Sequence, residues 1–148
     1  MNRSGRLEFL ATVTLGLFAG GMLFIALCLL PFWASLAPEN YREAFQLMGP
    51  IVGAKMVPIM IGSILLAGVC ALVSGPSRFR WTLAFLCVAA IVPLYAAVHA
   101  PVNAILLGTN PLPSLEISGL RSQWFTWHWV RTSLGLAAFG LAAFRRVV

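Results

Sequence analysis

Four apolar stretches, residues 7–30, 56–73, 81–107 and 123–144, take up most of this 148-residue chain. Each is close to the length an α-helix needs to cross ~30 Å of hydrocarbon. In lipid every backbone N–H and C=O must be satisfied within the protein, so such runs fold as helices. Charged residues make up only 9% of the sequence, against about 25% in an average soluble domain. The expectation is an all-α fold, one transmembrane domain over residues 1–148, built as an integral membrane four-helix bundle.

The connections refine this. Ser35-Leu36-Ala37 resembles a small-x-small cleavage site, but the preceding apolar run is too long for a signal peptide and is read as helix 1. Residues 31–55 form the longest polar interval, and residues 38–48 read there as a short helix lying in the first outer interface. Pro38 begins it, Glu39 and Glu43 complement its N-terminus, and Gly49-Pro50 ends it. Tyr41, Phe45 and Met48 form its apolar face, which would serve as a lid or a plain connector. Pro58 falls in the first turn of helix 2, residues 74–80 make a tight basic turn, and residues 108–122 form a Pro- and Gly-rich loop. Gly16 and Gly20 offer a G-x-x-x-G step for close helix approach.

Orientation follows from the basic residues. Arg3, Arg6, Arg78, Arg80, Arg145 and Arg146 fall on one side of a four-crossing arrangement, and Arg42, Lys55 and Arg121 on the other. The positive-inside rule then puts both termini in the cytoplasm and the protein in the cytoplasmic (inner) membrane as a multi-pass chain. A net charge of +6 without a basic run leaves no footprint for nucleic acid. Cys28, Cys70 and Cys87 are odd in number, lie in apolar runs and form no C-x-x-C pair, so they read as packing residues rather than a thiol relay.

Polar side chains inside these runs are costly, and a functional site is the default explanation for them. Helix 3 carries His99 ~12 Å from its outer end, with Asn103 one turn nearer the surface on the same face. Helix 4 runs back inward, with His128 ~8 Å and Arg131 ~12 Å deep as i, i+3 neighbours. A short connection makes the two helices antiparallel neighbours, so the four side chains converge in the outer half of the bundle. Pro93 and Pro101 free the carbonyls of Ala89 and Ala97, which suits a cavity wall. Singly, each polar residue also has a packing role open to it. A metal held by His99, His128 and Glu39 or Glu43 lacks an H-x-x-x-H or E-x-x-H pair and would be repelled by Arg131. No metal or other cofactor is therefore expected, a metal or haem protein being the third alternative.

Pro101-Val-Asn103-Ala-Ile-Leu106, followed by Trp124-x-x-x-His128-x-x-Arg131, resembles the anthrone-oxygenase-like family of small four-helix membrane proteins. The resemblance covers residues 99–136 and, by the spacing of apolar segments, more loosely the whole chain. It implies oxidation of an anthrone to an anthraquinone by O₂ without an evident cofactor. The residues suit that chemistry, with His99, Asn103, His128 and Arg131 as candidate catalytic groups. A histidine takes the acidic methylene proton, with His128 the preferred base and His99 its orienting partner, or the reverse. Arg131 and Asn103 stabilise the oxyanion, and Trp124, Trp127, Tyr41 and Phe45 bind the flat substrate. The expected partners are the bilayer and a lipophilic aromatic molecule, with a homo-oligomer or a larger membrane complex open. A non-catalytic subunit or small-molecule-binding protein is the alternative from another class.

Overall fold

The computed structural model describes residues 3–144, with Arg3 described by its backbone only. Arg145 and Arg146, two of the arginines behind the orientation argument, lie outside the described residues, as does the Arg3 side chain.

Four helical rods carry the described chain. Rod α1 covers residues 3–34 as Arg3–Phe24, a π-helical segment Ile25–Leu29, and Leu30–Ala34. Rod α2 is one helix, Pro38–Val73. The turn Gly75–Ser77 uses a positive φ of 46° at Gly75, a conformation that a side chain would strain. Rod α3 covers residues 78–107 as Arg78–Ala89, Ile91–Leu94, a second π segment Tyr95–His99, and Ala100–Leu107. Rod α4 is Ser114–Ala143. Connections this short make successive rods antiparallel neighbours. α1 and α3 each pack against both α2 and α4, which closes a ring of four.

Large apolar side chains point out of the bundle along its length. Leu17 and Phe24 of α1, Ile51, Leu65 and Leu72 of α2, and Leu86 of α3 are all exposed. Such a continuous apolar exterior suits hydrocarbon and would aggregate in water. α1, α2 and α3 are each long and apolar enough to cross a membrane. α4 is 30 residues long, but its polar residues keep it below the hydropathy of the other three.

Two helix starts differ from the sequence expectation. α2 begins at Pro38 rather than near residue 56, so the segment 38–48 is its first turns and not a separate short helix. Gly49-Pro50 does not stop the helix, which runs on through Pro50 and Pro58 to Val73. α4 begins at Ser114 rather than near residue 123, with Glu116 in its first turn where a negative charge complements the helix dipole. Lys55 therefore lies inside α2 and not in an outer loop, which removes it from the loop tally.

Two prolines inside rods have a common solution. Proline lacks an N–H, and its ring crowds the carbonyl four residues back. In both π segments the ladder widens to an i→i+5 bond just before the ring, Leu30 N–H to Ile25 O ahead of Pro31 and Ala100 N–H to Tyr95 O ahead of Pro101. Rod α1 thereby continues past Pro31 to Ala34 instead of ending at residue 30. Of the two glycines in G-x-x-x-G, Gly16 serves close packing. A Cβ there would lie 3.0 Å from the Phe139 ring, whereas Gly20 faces open space.

The ends of the rods are closed in trans by arginines. Arg42 of α2 donates to the Leu106 and Gly108 carbonyls (3.2 and 2.6 Å), and Gln46 adds bonds to both. Arg121 of α4 donates to the Trp33 and Leu36 carbonyls at the end of α1 (3.3 and 2.8 Å). At the opposite end of the bundle Arg80 donates to the Phe144 carbonyl. These are the carbonyls a helix C-terminus leaves unpaired, and a cation there also complements the dipole.

The core falls into two layers. An inner one joins Leu15, Phe18, Ala67, Cys70, Trp81, Ala84, Val88 and Ala138. An outer, aromatic one joins Trp33, Tyr41, Phe45, Leu106, Ile117 and Trp124. Arg42→Ala is expected to destabilise the fold by about 1–3 kcal/mol, because the end carbonyls of α3 lose a charged donor. Thermal unfolding in detergent measures this, and an unchanged midpoint would mean that Gln46 suffices alone.

Candidate functional site

Between the two layers sit the buried polar groups. His99 and His128 are fully buried, and Arg131 is 9% exposed. His99 ends the π segment of α3, directly before Ala100-Pro101. Trp124, His128 and Arg131 follow one another at i+4 and i+3 along α4, so all three point inward from one stripe.

Hydrogen bonds fix the state of His128. Its Nε2 lies 3.0 Å from the Met22 carbonyl, which only accepts, so Nε2 carries the proton and donates. Its Nδ1 lies 3.1 Å from Nη2 of Arg131, which only donates, so Nδ1 accepts. Both ring nitrogens of the neutral imidazole are thus committed. His99 is the opposite case. Neither of its nitrogens completes a hydrogen bond, although the Trp124 backbone lies nearby.

Trp124 joins the cluster. Its ring stacks on His128 (5.1 Å between centroids, 5° between planes) and meets His99 edge-on at 5.4 Å. Its Nε1–H donates to Asn103 Oδ1 at 2.9 Å. The Arg131 guanidinium carbon lies 5.5 Å from its ring centre. Tyr95 stacks on the far member, His99, at 6.1 Å with 4° between the planes.

A cavity of about 600 Å³ opens beside this cluster. Its polar wall is Asn103, Arg131, Tyr95 and Trp124, and its apolar wall includes Phe18, Met22, Trp33, Phe45 and Met56. That volume is ordinary for a small-molecule pocket. The imidazoles do not line it; Tyr95 and Trp124, their ring neighbours, do. Of the four expected groups, Asn103 and Arg131 therefore face the cavity, while His99 and His128 stand behind its wall.

Arg131 is a cation without a counter-anion. Among the described residues no carboxylate approaches it, and its Nε has no partner. Of the acidic residues of α2, which are close in sequence to the outer core, Glu39 accepts from Ser114 and Glu43 is exposed. Asn103 likewise uses its oxygen on Trp124 and, among the described residues, makes no hydrogen bond through its NH₂. The cavity thus presents two sets of unused donors.

The other expected residues divide. Phe45 lines the cavity and packs on Trp33 and Trp124. Tyr41 is buried in the outer layer against Trp33 and Phe125, under the Arg121 guanidinium, and does not reach the cavity. Trp127 is 38% exposed and does not line the cavity, because it directly precedes the inward His128 and one helical residue turns it about 100° away from that side chain. Trp33 and Tyr95 were not anticipated. Tyr95 stands four residues before His99, a spacing that signals a shared face, whereas Trp33 lies beyond the proline that read as a helix end.

Among the described residues no three His, Cys, Asp or Glu side chains gather as a metal group, and the three cysteines are unpaired. Comparisons with protein-family models, curated proteins and solved structures return no significant match.

A buried, unpaired cation costs several kcal/mol in desolvation, so its removal tests its purpose. Arg131→Met is expected to leave the unfolding midpoint unchanged or raise it, although His128 Nδ1 then loses its donor. A large fall in the midpoint would make Arg131 a packing residue.

Proposed function

We propose that the protein is a multi-pass enzyme of the cytoplasmic membrane. All four rods cross, both termini are cytoplasmic, and the cavity takes a lipophilic phenol-like substrate such as an anthrone. The observation that carries this is Arg131, a nearly buried guanidinium that faces a cavity and has no carboxylate among the described residues. A charge held in that way favours an oxyanion at the same spot, since fixed donors in a dry site stabilise developing negative charge strongly.

The chemistry runs on O₂ without a cofactor. A base removes one methylene proton of the anthrone, and the charge moves onto the oxygen held by Arg131 and the Asn103 NH₂. The resulting electron-rich carbon is oxidised by O₂ to a hydroperoxide, which takes up the proton. Loss of water from that hydroperoxide gives the anthraquinone, so one O₂ is consumed and one H₂O released. His99 is the better base, because both nitrogens lack hydrogen-bond partners, whereas His128 has its lone pair engaged by Arg131. His128 instead orients the guanidinium. Tyr95 or Trp124 must shift aside for His99 to reach substrate, unless a water relays the proton.

Binding without chemistry is the alternative, and it is favoured by the imidazoles standing behind the cavity wall. Anthrone turnover by purified protein in nanodiscs separates the two. The enzymatic reading expects Arg131→Gln to lower turnover about 10²-fold, as loss of an oxyanion donor does. It also expects His99→Gln to abolish most turnover while Arg131→Gln and His99→Gln stay folded. Turnover absent from the wild type, with the substrate still bound, would leave a binding protein.

A further inference from the structure

The wall of the cavity is incomplete on one side. Along α2, Arg42 and Gln46 bond to the end of α3, and further down a Cβ on Gly68 would lie 3.3 Å from Phe85 of α3. Pro50 and Ala54 continue the i+4 row from Arg42 and Gln46, so they lie on the side of α2 that faces α3. Yet Pro50, Ala54 and Val57 are exposed while lining the cavity, and so are Tyr95 and Leu107 on α3. α2 packs closely on Arg78–Ala89 and meets Ala100–Leu107 at the outer end, but it leaves the stretch between them apart. The seam is therefore closed above and below and open at mid-height, within the apolar exterior.

From this geometry, and resting on the proposed role of the cavity, we infer that its ligand arrives from the bilayer through a window between α2 and α3. The ligand class is a membrane-dissolved amphiphile with one oxyanion head, phenolate or carboxylate, on an apolar body. Head and body match what the cavity offers. Arg131 and Asn103 supply the polar wall, while the exposed lining residues Val57, Pro50 and Leu107 are uncharged. The charges of Arg42, Glu39 and Glu43 line the adjoining hollow that shares Pro50 and Leu107. Gly53 lies on the cavity wall with nothing within 4 Å of an added Cβ, so a large side chain there would enter the open volume.

The test uses the full chain in phosphatidylcholine nanodiscs loaded with a dodecanoic acid carrying a diazirine on its chain, or with its methyl ester. After irradiation, adducts are mapped by peptide mass spectrometry. The acid is expected to label cavity residues about tenfold more than the ester, as a charged hydrogen bond predicts. Gly53→Trp, and independently Val57→Trp on the rim, should cut those adducts about as strongly as a blocked path requires, with labelling of outward Leu65 and Leu86 unchanged. Cavity adducts undiminished in both folded variants would overturn the lateral route and leave the proposed cavity chemistry standing. Equal cavity labelling by acid and ester would overturn the oxyanion class.

Discussion

A guanidinium held inside an apolar helical bundle, with no carboxylate against it among the described residues, is the constraint around which the rest is arranged. Arg131 is steadied by His128, which is pinned in turn by the Met22 carbonyl, and Trp124 covers its face. This chain of contacts crosses from α4 to α1 and consumes the lone pair of one imidazole. It keeps the charge in place without neutralising it. A fold that needed only packing would have a hydrophobic residue there, since such replacements of buried charges are often neutral or stabilising. Retaining the charge beside an open cavity makes sense when something negative is to be met.

The helices around the site are shaped by how their backbone is satisfied. Pro31 and Pro101 are each absorbed by a π segment, and the second of these sets His99 against Tyr95 and Trp124. Arg42 and Arg121 close the outer ends of α3 and α1 from neighbouring rods. Charges that look like loop decoration in the sequence thus act as caps. With the outer ends tied and the inner halves packed on small residues, the place left free to part is the middle of the α2–α3 seam.

Much of this was legible beforehand, for physical reasons. Long apolar runs have few folds open to them in lipid, so an all-helical chain with this order of helices followed from the apolar pattern, although α4 is less apolar than the other three. His128 and Arg131 shared a face by spacing, and Asn103 pointed to the same region. What was not legible depends on contacts between distant segments. Gly49-Pro50 carries the usual stop signal, yet the helix continues through it. Nothing local says that Arg42 caps a helix 64 residues away, that the Met22 carbonyl fixes the His128 tautomer, or that both imidazoles lie behind the cavity wall. Trp127 shows the same limit from the other side, since an aromatic beside a site residue in sequence faces outward in the fold.

The central claim is that Arg131 receives an oxyanion in the cavity. Solid-state NMR on the bilayer-embedded protein, labelled with ¹⁵N at arginine and loaded with ¹³C-carboxyl dodecanoate, measures that contact directly. A carbon-to-guanidinium nitrogen distance of about 4 Å, lost in Arg131→Gln, is the predicted result for a charge-assisted hydrogen bond. No such contact, or one that persists in Arg131→Gln, would contradict it.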